Sequence, residues 1–142
     1  HVLSGLISLG LCVNVNAQNL VLNPSFEDYA YCPGDYSQFC DNIPNWLCAT
    51  LGTVDYYNAC GSDMGVPYNQ LGIQDARTGV AYAGILMRQW FSNWREYPMI
   101  PLSQPLQAGT WYTLEYYVSL ADFSCGVEHF GVYFLSTILI QP

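Results

Sequence analysis

The sequence predicts an all-β protein, an antiparallel β-sandwich or barrel, and three observations carry that expectation. First, the stretch 111–120 alternates. Tyr112, Leu114, Tyr116, Val118 and Leu120 are apolar or aromatic, whereas Trp111, Thr113, Glu115, Tyr117 and Ser119 are mostly polar or amphipathic. Successive side chains on a strand point to opposite faces, so this pattern directs one face to a core and the other to water. Second, no stretch of useful length carries helical periodicity. Third, the short apolar runs are separated by segments rich in Gly, Pro, Asn and Asp, which turn a chain.

With 142 residues the chain is long enough for one domain with a real core, and no linker or repeat divides it. Hydrophobic residues make up 51% and charged residues only 10%, the reverse of a disordered composition. Net charge is −8, lysine is absent, and the cations are Arg77, Arg88 and Arg95. Such a chain repels phosphates and anionic lipid, which argues against nucleic-acid and membrane-surface partners. The sign suits neutral glycans, cations or basic partners without choosing among them. Twelve tyrosines and four tryptophans supply a β core and strand faces, and any left over could stack on sugar rings.

Taken in order, residues 1–17 are apolar at 2–13 and end Val15-Asn16-Ala17, a small-residue cleavage pattern. The run is short for a bilayer span and reads as the end of a secretory signal peptide, removed after Ala17, with its start clipped. Lipidation at Cys12 is the alternative, disfavoured by the bulk of Leu11. The domain is then 18–142, with no membrane insertion after cleavage. Residues 19–22 form a first short strand, and Asn23-Pro24-Ser25 turns the chain. Residues 29–42 are loop; 43–46 lead into a short strand, and 53–58 form a further strand or rim segment. Residues 61–75 make a second long loop, of the kind usually functional or stapled.

Both faces of 78–88 are apolar, as in a central strand covered on two sides. A loop at 90–94 carries Trp90 and Trp94, and 95–102 alternates again. Pro98 has no N–H to donate, which places that strand at an edge or a bulge. Residues 107–110 turn into the strand 111–120, 122–127 turn out of it, 128–135 form another strand, and 137–140 begin one more.

Export makes disulfides plausible among Cys32, Cys40, Cys48 and Cys60, with three connectivities open and Cys125 left over. Zinc is disfavoured, since there is no C-x-x-C pair and His129 is the one histidine after the leader. No catalytic residue emerges. There is no G-x-S-x-G, and Glu115 and Glu128 fall on opposite kinds of strand face, so they do not form the facing carboxylate pair of a glycosidase.

Several motifs together carry a resemblance. The opening NLVLNPSFE, with Trp46 downstream, resembles jelly-roll carbohydrate-binding modules of the galactose-binding-like type. GTVDYYNAC, GVPYNQLGIQDARTGVAYAGI, REYPMIPLSQPLQAGTWYTLEYYVSLAD and FGVYFL are similar to one group of these, covering most of 19–135. That group comprises N-terminal domains of large exported bacterial surface proteins, often joined to an OmpA-like domain or a secretion-sorting tail. The resemblance implies an antiparallel jelly roll, incomplete at the C-terminus with about six to seven of about eight strands, and long disulfide-stapled loops. It implies a secreted, cell-surface or outer-membrane-associated location and a larger parent polypeptide.

Cys32 and Cys60 sit where the group often has cysteine; Cys40, Cys48, Cys125 and Pro98 are departures. In related sugar-binding modules the Glu of the N-x-x-F-E motif, here Glu27, helps hold a structural calcium with an Asp near the domain's end. The implied function is non-catalytic carbohydrate binding, with Trp90, Trp94, Arg95, Tyr97, Trp111 and Tyr117 as candidate contacts. The rival expectation is an adhesive module that binds cell-envelope proteins, and a glycoside hydrolase is the remaining one.

Overall fold

A computed structural model describes residues 18–139. The expected leader at 1–17, Cys12 included, lies outside the described residues, as does Ile140 at the end of the last expected strand. The described chain is β-structure in short pieces with one helical turn. In order these are α1 (Phe39–Asn42), β1 (Leu47–Cys48), β2 (Asp55–Asn58), β3 (Tyr68–Asn69), β4 (Gly72–Ile73), β5 (Ala81–Gly84) and β6 (Pro98–Met99). They pair antiparallel as three two-stranded sheets, β1 with β6, β2 with β5 and β3 with β4. A single bridge joins Val21 to Leu102, where Ser103 N–H also donates to the Leu20 carbonyl at 2.9 Å.

The β2–β5 pair is the spine, registered from Asp55 opposite Gly84 to Asn58 opposite Ala81. Both faces of β2 are covered, since Tyr56 and Tyr57 are 0% and 2% exposed. Small residues on β5 allow this: a Cβ at Gly84 would come within 2.6 Å of the Tyr57 ring. Tyr57 stacks on its cross-strand partner Tyr82 with centroids 4.9 Å apart. On the opposite face Tyr56 donates its hydroxyl to the Phe26 carbonyl at 2.9 Å and accepts from Asn58 Nδ2 at 2.7 Å. Burial pushes that hydroxyl up to about 12, with the Asn58 bond acting the other way.

Around Tyr56 the core gathers Phe39, Ile43, Val54 and Ala81, with Phe26 and Trp46 packed against them. Phe26, Phe39 and Trp46 form a mutual aromatic cluster, with centroids 5.1 to 5.8 Å apart and edge-on or tilted planes. The N-P-S-F-E turn reaches this cluster because Asn23 and Phe26 both take positive φ, 45° and 61°. Asn23 pins the turn by donating Nδ2 to the Asp28 carbonyl (2.8 Å) and accepting the Asp28 N–H (3.1 Å). Its own carbonyl accepts from Trp46 Nε1 at 3.2 Å.

Two disulfides close the loops, Cys32–Cys60 and Cys40–Cys48, spanning 28 and 8 residues. They select one of the three open connectivities and leave Cys125 as an exposed free thiol. Disulfides persist in an oxidising compartment, which fits an extracellular environment. Among the described residues no helix is long and apolar enough to cross a membrane.

Several elements differ from expectation. The loop expected at 29–42 ends in α1, whose Phe39 is 0% exposed, because Cys40 and Asn42 tie that turn to the core. Of the two alternatives for 53–58, strand or rim, the structure has strand at Asp55–Asn58, in the core. The loop 61–75 contains the β3–β4 pair. Among the described residues β5 has one strand partner, β2, rather than two. Pro98 does pair at an edge, opposite Cys48, with Ala49 N–H donating to the neighbouring Tyr97 carbonyl at 3.0 Å.

The largest correction concerns 111–120 and 128–135, which join no strand ladder among the described residues. Their residues are exposed on both parities, Trp111 at 98%, Leu114 at 46% and Val118 at 66%. Alternation specifies which face would be buried but supplies no partner, and a strand exists only by pairing. The two segments nevertheless touch through their expected core faces, with Tyr116 and Phe130 rings 5.2 Å apart.

Candidate functional site

The candidate surface grows from a loop between β5 and β6. Its base closes by paired backbone bonds, Glu96 N–H to the Leu86 carbonyl (3.0 Å) and Gln89 N–H to the Trp94 carbonyl (3.1 Å). The span between them is too short for burial, so its apolar side chains face water. Trp90 is 89% and Phe91 65% exposed, packed edge to face with centroids 5.2 Å apart. Ser92 braces the tip, donating to Gln89 Oε1 at 2.7 Å and accepting the Trp94 N–H at 3.3 Å.

Glu96 fixes the loop to the body. Its side chain is buried and accepts from Leu86 N–H (2.7 Å), Thr53 N–H (3.2 Å) and Thr53 Oγ1 (3.4 Å). Desolvation raises its carboxyl above the ordinary value, the hydrogen bonds opposing that shift only in part. Beside it, Thr50 Oγ1 donates to the Arg95 carbonyl at 3.2 Å. The two chains approach so closely at Gly52 that a Cβ there would lie 2.6 Å from the Arg95 carbonyl oxygen. Glu96 therefore points inward while the adjacent Arg95 points out.

Two open clefts flank Arg95. The first, about 430 Å³, is lined by Thr50, Gly52, Asn93, Trp94, Arg95 and Tyr97. The second, about 640 Å³, lies between this loop and 125–129, and its walls include Arg88, Trp90, Arg95, Cys125, Glu128 and His129. Arg95 Nε donates to Asn93 Oδ1 at 3.1 Å, which orients the guanidinium between the two. The fold thus brings together four of the six expected contacts, Trp90, Trp94, Arg95 and Tyr97.

Trp111 and Tyr117 line neither cleft. Trp111 projects into solvent, while Tyr117 lies under Arg77, whose Cζ is 4.2 Å from the ring centroid, and donates its hydroxyl to Glu115. Thr50, Asn93, Arg88 and the 125–129 segment were missed from sequence. Arg88 had a signal, as one of three cations in a lysine-free chain, and Asn93 lies within the tryptophan loop itself; Thr50 and the 125–129 segment had none, because they arrive from distant positions.

Cys125 and His129 share the second cleft, the arrangement that would matter for a thiol nucleophile. Among the described residues no hydrogen bond joins them, and Glu128 makes none to either.

Glu27 has a structural role in the fold. Its Oε1 accepts the N–H groups of Val80 (2.9 Å) and Ala81 (3.2 Å), clamping the first turn to β5. Gly79, at φ +64°, leaves room for that carboxylate, since a Cβ there would collide with it. Calcium needs six to eight oxygen ligands. No group of three or more His, Cys, Asp or Glu able to hold a metal occurs among the described residues. Glu27 Oε1 is committed to these two N–H donors.

Comparisons with family models, with curated proteins and with solved structures find no match.

Proposed function

We propose that this chain is a non-catalytic binding module, with carbohydrate its ligand, on a jelly-roll scaffold of the galactose-binding-like type. In this reading it belongs to an exported bacterial surface protein, and the two disulfides agree with life outside the cytoplasm. The observation that carries the proposal is the braced loop holding Trp90 and Trp94 open to solvent on either side of Arg95. Flat aromatic faces stack on the apolar faces of sugar rings, and a guanidinium offers five N–H donors to ring hydroxyls. A surface pinned by a buried carboxylate loses little entropy when a ligand arrives.

A glycan array probed with the full chain tests this. Wells that light up for the wild type and dim for Trp90→Ala and Trp94→Ala support it; uniformly blank wells count against it.

A second reading, an adhesive module for cell-envelope proteins, is favoured by a different observation. Leu114, Val118, Leu120, Val132 and Phe134 are each about half exposed or more, an apolar supply that sugar binding does not use. Crosslinking to protein partners, together with blank array wells, would favour it.

A further inference from the structure

The distribution of charge around the second cleft narrows the ligand. The chain holds three cationic residues against eleven acids. Two of the three, Arg88 and Arg95, line this one cleft, and only one acid, Glu128, joins them. His129, the only described imidazole, is on the same wall. Glu96, the acid nearest in sequence, is turned inward onto Thr53 and Leu86 and does not neutralise Arg95. The cleft is thus locally positive on a chain of net charge −8. Arg95 spends Nε on Asn93, and no other side-chain hydrogen bond of its guanidinium occurs among the described residues. Trp90 lines the same cleft as Arg88 and Arg95.

From this we infer that the second cleft binds a sugar bearing an isolated carboxylate, a uronate-type residue, with Trp90 against the ring and Arg88 and Arg95 on the acid. The inference rests on the carbohydrate reading and specifies its ligand. A planar guanidinium meets a carboxylate with two parallel N–H bonds, a geometry lysine lacks. The net negative charge sets the other limit. Charges more than about 8 Å away are screened at physiological salt, so one carboxylate feels the local arginines, whereas a dense polyanion meets the repulsive remainder.

The test is calorimetric titration of the full chain with four probes: a uronate-terminated trisaccharide, its methyl ester, its neutral parent and its 6-sulfated analogue. The uronate form is expected to bind at least tenfold more tightly than the ester. Arg88→Gln and Arg95→Gln should each erase that difference, while Arg77→Gln, which removes the same charge elsewhere, should preserve it. Circular dichroism of each variant separates loss of binding from loss of fold. Equal binding of ester and acid would overturn the inference and leave the carbohydrate reading standing. Binding of none of the four would overturn both. Tight binding of the sulfated form alone would overturn the carboxylate assignment in favour of a sulfated sugar.

Discussion

Residues 20–102 and 106–139 use the same vocabulary of alternating tyrosines and aliphatics, yet one half packs and the other does not. In the first, Tyr56 and Phe39 are wholly buried, two disulfides hold the loops, and β2 finds β5. In the second, Tyr112, Leu114, Tyr116 and Val118 remain between 43% and 66% exposed without a strand partner. The second half is attached at its middle, where Asp122 accepts the Ile73 N–H at 2.9 Å and Ser119 donates to Gln74 Oε1. What separates the halves is partnership rather than composition. Backbone N–H and C=O groups need pairing before a hydrophobic face has anything to cover.

The comparison can be broken by mutation, starting where the largest effect is expected. Phe39→Ala empties the centre of the aromatic cluster and should cost about 3–5 kcal/mol in urea denaturation. A cost under about 1 kcal/mol would mean that the first half is not the cooperative core.

Next are the cross-links. Removing Cys32–Cys60 as a double alanine variant should cost about 3.5 kcal/mol and removing Cys40–Cys48 about 2.5, because the longer loop gives the unfolded chain more freedom. Equal costs, or the reverse order, would contradict the loop-entropy account.

A smaller effect should come from pH. Burial raises the carboxyls of Asp55 and Glu96 above their ordinary values of 3.8 and 4.5. The native chain therefore holds these protons more tightly than the unfolded chain. Their stabilising contribution is complete below the ordinary values and is lost as pH rises through the raised ones. Wild type should lose stability relative to Glu96→Gln as pH rises above the ordinary carboxylate value and through the raised one, measured by denaturant midpoints. A widening advantage of wild type with rising pH would show that the hydrogen bonds to Glu96 outweigh its burial.

The smallest effect is expected in the second half. Val118→Ser should change stability by no more than about 0.5 kcal/mol, because its side chain is already 66% exposed. A loss of 2 kcal/mol or more would show that this segment is buried in solution, and the contrast between the halves would fall.

Much of the candidate surface was legible in advance. Trp90 and Trp94 in a short run between strands mark a loop with nothing to bury them, and Arg95 follows directly. Tyr97 shared their neighbourhood by simple adjacency. The inward turn of Glu96 could not be foreseen, because its partners Thr53 and Leu86 lie 43 and 10 residues away. Nor could the second wall of the cleft, which comes from 125–129. Trp111 and Tyr117 fall outside both clefts for the opposite reason: a polar strand face was expected where no strand forms among the described residues.

The amino-acid order alone determined the β character, the turn at Asn23-Pro24-Ser25, the edge position of Pro98 and the exposure of the tryptophan loop. These are local consequences of φ preference, a missing N–H and side-chain period. Only the tertiary structure decided which cysteines join, that Glu27 grips β5, and that two of three arginines share one cleft. Those outcomes depend on contacts beyond the local strand pattern, 53 residues apart for Glu27 and Val80, and a pattern with period two carries no information about who its neighbour will be.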